Sequence, residues 1–192
     1  MHIHRSVVVV GAAATLLVLG STATAGAGGS GGGSRTEVVE VQDDCHPPTF
    51  NTEIVPGVEF CDPDFDGDTT ASEFFAQISE EQDAGKWRFN PDDTEVDPGT
   101  RLRAVNVGGE YHTFTPVERF GGGCIPDPRL DIGEAPVAEC DGFDPATHEF
   151  GIPAGGHLTV TPTGRRMLYQ CLVHPWMRAV VEVDTDDHSG HH

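Results

Sequence analysis

The chain has 192 residues, and its 31 Asp+Glu against 11 Lys+Arg give a formal net charge of -20. Charge of that sign repels nucleic acid and anionic membrane surfaces, so neither is expected as a partner; a cationic partner or a salty medium is compatible with it. The length admits one domain of ordinary size plus tails, with enough chain to bury a core.

Residues 1–25 read as a secretory signal: Arg5, an apolar run from Val7 to Leu19, then Ala23-Thr24-Ala25 as a small-x-small cleavage pattern. This predicts a secreted, periplasmic or extracellular protein. No later stretch approaches the about 18 consecutive apolar residues of a membrane helix, so the mature chain is expected to lack one. Over residues 26–35, GAGGSGGGS is a tether with nothing to bury. Its Gly26, Gly28 and Gly31 spell G-x-G-x-x-G, but neither a strand before nor a helix after supports a nucleotide site.

The folded domain is expected over 36–185, opening with the alternating strand TEVVEV and having its core over 86–184. Cys45 to Gly85 is irregular. It ends in one short helix, where Phe74, Phe75 and Ile78 recur at helical spacing behind Ser72 as the cap. Overlapping its start, DPDFDGDTTASE matches a calcium loop, with Asp62, Asp64, Asp66 and Asp68 as oxygen donors, Gly67 at the turn and Glu73 in twelfth place. No entering helix precedes it, so the alternative is a charged turn that caps the helix.

From Lys86 onward short strands dominate: KWRF, TRLRAVNV, YHTFT, HEFGI, HLTVTP, RRMLYQC and MRAVVEV, separated by Asp97-Pro98-Gly99, Gly108-Gly109 and Pro162-Thr163-Gly164. Strands this short and closely spaced predict an all-β antiparallel sandwich. Residues 186–192 form a polar tail in which His188, His191 and His192 accompany Asp186 and Asp187, either a weak scavenger of divalent ions or a solvated end.

Five cysteines in an exported chain leave one unpaired. Four of them can pair in three ways. Their spacing favours Cys45 with Cys61 and Cys124 with Cys140, which sets Cys171 apart. Cys171, His174 and Met177 follow one another at three-residue intervals in YQCLVHPWMRAVVEV. Thiolate and thioether suit Cu(I), imidazole suits Cu(II) as well, and two histidines, one cysteine and a weak axial methionine form a set that holds both oxidation states. His112, behind the Gly108-Gly109 turn, is the best candidate for the fourth ligand. His46, His148 and His157 lack such company and are expected in loops or at the surface.

A histidine after a strand-turn, then C-x2-H-x2-M before a final valine-rich strand, resembles the cupredoxins, the family of plastocyanin, azurin and amicyanin; CLVHPWM is most similar to amicyanin's short ligand loop. The resemblance covers roughly Trp87 to Val183. It implies a Greek-key β-sandwich, one copper ion held by His112, Cys171, His174 and Met177, and one-electron shuttling between larger redox proteins. Two departures stand out. Thr113 occupies the place where many family members carry an asparagine that braces the ligand loop, and RFGGGCIPDPRLDIGEAPVAEC is an inserted excursion.

An electron carrier, monomeric and without catalysis of its own, is therefore the expected function. Pro175 and Trp176 are candidates for a docking face around a partly exposed His174. The alternative is a copper-binding or delivery protein without rapid redox cycling. An oxidase would need further coppers, and the only H-x-H pair, His2 and His4, lies in the signal. No G-x-S-x-G or H-E-x-x-H occurs either.

Overall fold

A computed structural model describes residues 35–184. The signal, the tether up to residue 34 and the histidine-rich tail lie outside the described residues.

Ten strands and two short helices follow in chain order: β1 (Thr36–Gln42), α1 (Pro47–Thr49), α2 (Ala71–Glu81), β2 (Arg88–Asn90), β3 (Asp93–Val96), β4 (Arg101–Asn106), β5 (His112–Thr113), β6 (Thr115–Val117), β7 (Gly151–Ile152), β8 (His157–Val160), β9 (Arg166–Gln170) and β10 (Arg178–Val183). One sheet runs β2-β1-β4-β8, a second β3-β10-β9-β6, and β5 pairs with β7 alone. Side chains from both four-stranded sheets meet in one core: Val39, Val41, Leu102 and Ala104 from the first, Val96, Tyr169, Ala179 and Val181 from the second. The alternation of TEVVEV works as expected, because Val39 and Val41 turn inward while their neighbours face outward or are half-buried.

The all-β sandwich is as expected, with two corrections to its detail. Pairing is not purely antiparallel: β1 runs parallel to β4, with Val39 opposite Ala104, and β3 parallel to β10. The chain crosses from the first sheet to the second between β2 and β3, which sets β3 alongside the closing strand instead of hairpinned to it. Nor is the core confined to 86–184, since Val39, Val41, Phe50, Phe74 and Ile78 join the same cluster. The N-terminal segment is thus one wall of the domain.

Helix α2 buries Ala71, Phe74 and Ile78 on one stripe. Its cap is Thr70 and not Ser72: the Thr70 hydroxyl accepts the Glu73 N–H while the Glu73 carboxylate accepts the Thr70 N–H, a reciprocal capping box. A second helical segment, α1 followed by a wider turn over Phe50–Ile54, had no periodic signal in the sequence. It inserts Phe50 against Phe74 and Trp87.

Candidate metal centre

The end of β9 delivers Cys171, and β5 delivers His112 from the neighbouring two-stranded ribbon. Between Cys171 and β10 the chain makes a tight loop. The Cys171 N–H donates to the Met177 carbonyl at 3.0 Å and the Met177 N–H to the His174 carbonyl at 2.9 Å, which turns His174 back over the cysteine. Both expected disulfides are present, Cys45–Cys61 and Cys124–Cys140, and Cys171 is free and buried.

Three of the four expected ligands converge. The Cys171 Sγ lies 3.8 Å from the Nδ1 of His112 and 3.8 Å from the Nδ1 of His174, and the two Nδ1 atoms are 3.2 Å apart. Among the described residues this is the one group of three or more His, Cys, Asp or Glu ligand atoms gathered this closely. These spacings suit a transition ion: nitrogens at about 2.0 Å and sulfur at about 2.3 Å, seen at an angle of about 120°, stand about 3.8 Å apart. Met177 is buried in the same core cluster as Cys171.

Thr113 takes up the bracing task that its departure from the family pattern put in question. Its hydroxyl oxygen accepts the Leu172 N–H at 2.9 Å, and its own N–H points at the Cys171 sulfur at 3.4 Å. The ligand loop is held from the β5 side by both groups of one residue.

Behind the ligands stand two carboxylates that the sequence did not single out. Asp43, just past β1, accepts from the N–H groups of Cys45 and Gly109 on one oxygen and from the Glu110 N–H on the other. That second oxygen lies 2.8 Å from the Nε2 of His112, and both side chains are fully buried. A Cβ at Gly108 would fall onto this carboxylate, so the glycine of the turn is a steric requirement. Glu110 accepts from the Trp87 indole N–H, and the same oxygen is 3.6 Å from the Nε2 of His174. In a chain with 31 acidic residues nothing local marks these two. Only the fold shows them.

The electrostatics follow. Burial alone would raise the Asp43 carboxyl, but the His112 ring and the Glu110 and Gly109 N–H groups bring it down to about 2. For His112 burial works against the charged form, yet Asp43 and Cys171 together lift the imidazole to about 10. Burial would push the Cys171 thiol up; the hydrogen bonds and positive charge of His112 and His174 outweigh it and hold the thiol well below its usual range, toward the thiolate that binds metals. Burial pushes the Glu110 carboxyl up, with His174 opposing.

Of the expected docking face only Trp176 is partly exposed, and the partly open His174 is not observed. His174 is only 2% exposed and Pro175 is buried. Phe74 of α2 meets the His174 ring edge-on at 6.1 Å, and half-buried Trp176 lies at 5.5 Å. The N-terminal wall roofs the imidazole that the sequence placed at a partly open surface. His46 and His148 are half-buried and bonded to threonines, Thr49 and Thr115, and His157 is exposed; none of the three belongs to the clustered ligand group.

The calcium loop is not gathered. Asp62, Asp64, Asp66 and Asp68 form no ligand cluster with Glu73, which is committed to the capping box on Thr70. One Asp62 oxygen accepts the Asp64 N–H in a local turn. Gly67 is a glycine because the Cys45 carbonyl passes too close for a side chain. The charged-turn alternative fits this stretch, and no calcium site is supported.

Fold and site together define a β-sandwich with a buried cysteine–dihistidine group whose ligand atoms are close enough to hold a metal ion. No family model matches the chain, and no curated protein matches it. Similar solved structures include a purple cupredoxin from Nitrosopumilus maritimus, 17% identical over 53% of this chain and 86% of that one with a TM-score of 0.33. An amicyanin from Paracoccus versutus is 16% identical over 50% of this chain and 73% of its own, TM-score 0.32. An oxidised plastocyanin from Dryopteris crassirhizoma is 14% identical over 51% and 89%, TM-score 0.34. The cupredoxin resemblance read from C-x2-H-x2-M stands on the site itself, where the two histidines and the cysteine of that reading meet.

Proposed function

We propose that this chain is an exported mononuclear copper protein that passes single electrons between redox partners and is not an enzyme. One observation carries the reading: the one unpaired cysteine and two imidazole nitrogens from distant segments meet inside the core at copper-ligand spacing. His112, Cys171 and His174 are the principal ligands, and Met177 is the weak axial one. Bound copper supplies a one-electron couple between its two common oxidation states. The chain's part is to keep the ligands still while the charge changes. Thr113, the loop hydrogen bonds and full burial do this, and a site that cannot relax loses little energy to reorganisation.

Delivery, the alternative, requires ligands that can swing toward a recipient. Here the ligands are 0–2% exposed and braced from both sides, which favours the carrier. Two disulfides suit an oxidising compartment outside the cytoplasm, in line with the signal read over 1–25. Among the described residues no helix is long and apolar enough to cross a membrane. Partner docking is assigned to the surface around Trp176, the half-buried ring nearest His174.

Voltammetry on the copper-loaded protein, paired with a Cu(I) chelator challenge, separates the two. A carrier gives a reversible one-electron wave and holds its copper. An irreversible wave with rapid loss to the chelator would replace the carrier by the delivery reading.

A further inference from the structure

Both imidazoles of the centre are backed by a buried carboxylate, and neither carboxylate belongs to the ligand set. Asp43 is the more completely specified. Three backbone N–H groups, from Cys45, Gly109 and Glu110, already point at its oxygens at 3.0–3.2 Å. What remains is the 2.8 Å contact to the Nε2 of His112, in a place with no solvent access. A carboxylate can only accept there, so the His112 Nε2 carries a proton and donates it, and Nδ1 is the nitrogen turned toward the Cys171 sulfur and the His174 ring. Glu110 occupies the matching place behind His174, fixed by the Trp87 indole N–H.

The two are physically tied. The Asp43 carboxylate accepts the Glu110 N–H, Cys61 forms a bridge with Glu110, and Cys61 is joined to Cys45, two residues after Asp43. The N-terminal wall and its disulfide therefore set the outer side of the metal centre.

We infer that Asp43 is a positioning residue of the copper centre: it holds the His112 imidazole with Nδ1 toward the ion, and its buried negative charge favours Cu(II) over Cu(I), while Glu110 stands 3.6 Å behind His174 without a hydrogen bond to it. This rests on the copper reading above. The physical ground is that a fixed negative charge attracts a dication about twice as strongly as a monocation, with little screening in a buried site. Partners of this kind on metal-bound histidines typically change metal affinity by about 10–100-fold when removed.

The test compares wild type, Asp43→Asn and Glu110→Gln, each loaded with copper, by midpoint potential and by competition for Cu(II) and Cu(I). Asp43→Asn keeps the shape and removes the charge, and Glu110→Gln is the comparison at the longer contact behind His174. The expected result is an about 10–100-fold loss of Cu(II) affinity with a smaller loss for Cu(I), and a raised midpoint potential; a tenfold change in the ratio corresponds to about 59 mV for one electron. A residue that only supports the fold would lower stability and leave the ratio alone. A loaded Asp43 variant with wild-type potential and affinity ratio overturns the inference while the copper reading stands. Should Asp43→Asn fail to fold, Asp43→Ser, which removes the charge and keeps an oxygen acceptor, decides by the same two outcomes. A folded wild type that takes up no copper overturns the copper reading and this inference together.

Discussion

Replacing Thr113 by valine removes one oxygen from the brace between β5 and the ligand loop and keeps its shape. Two donors use that oxygen: the Leu172 N–H at 2.9 Å and the Thr115 hydroxyl at 3.0 Å. The Thr115 hydroxyl can turn to the Nε2 of His148, also 3.0 Å away. The Leu172 amide is backbone inside a fully buried residue and has nowhere to turn. One orphaned buried donor costs about 1–3 kcal/mol, and the methyl that replaces the hydroxyl returns up to about 0.8 kcal/mol. A net loss of about 1–2 kcal/mol follows, which for a domain of this size lowers Tm by roughly 2–8 °C. Thermal unfolding of the metal-free protein measures it, with Thr113→Ser as the control that keeps the acceptor. A valine variant as stable as wild type, or more stable than the serine variant, would refute the assignment of Thr113 as the brace.

Met177→Leu should keep the thiolate-to-copper colour and raise the reduction potential, because it removes the weak axial sulfur and leaves the three strong ligands; loss of colour on this change would show that Met177 is a principal ligand. Stability of the metal-free protein should depend on pH through the Asp43–His112 pair. Asp43, depressed to about 2, contributes stability that is present above about 4 and lost as pH falls toward 2; by linkage its shift amounts to about 2 kcal/mol. His112, raised to about 10, contributes stability that is present below about 6.5 and lost as pH rises through 10. The two shifts share the Asp43–His112 interaction and are not added; Cys171 also contributes to the second and backbone N–H groups to the first. Urea midpoints should therefore form a plateau between about pH 4 and 6.5, and Asp43→Asn should flatten the acid limb and weaken the alkaline one, where Cys171 still acts on His112; identical profiles for the two proteins would contradict the pairing. Calorimetry should show no calcium binding, and a stoichiometric binding heat lost in Asp62→Asn would reinstate the loop as a site.

Much of this molecule was legible in its residues. The alternation of TEVVEV, the helical spacing of Phe74 and Ile78 and the closing valine-rich strand each report local burial, and local periodicity survives folding intact. Cys171, His174 and the distant His112 could be chosen because their chemistry is rare and mutually consistent. Asp43 and Glu110 were invisible for the opposite reason: carboxylates are common here, and only the Gly108-Gly109 turn wrapping Asp43 distinguishes one from the rest. The roof over His174 depends on α2 packing against a loop about 100 residues later in the chain, a long-range contact that no window of sequence contains. The calcium motif shows the converse error. Its residues match in order, yet Glu73 has a stronger local use as the capping partner of Thr70.

Adding one equivalent of Cu(II) to the purified protein and recording the visible spectrum, beside Cys171→Ser treated identically, tests the centre most directly. The account predicts an intense charge-transfer band that saturates at one copper per chain in wild type and is absent from the serine variant. A pale wild-type complex, or a band that survives the loss of the Cys171 sulfur, would contradict it.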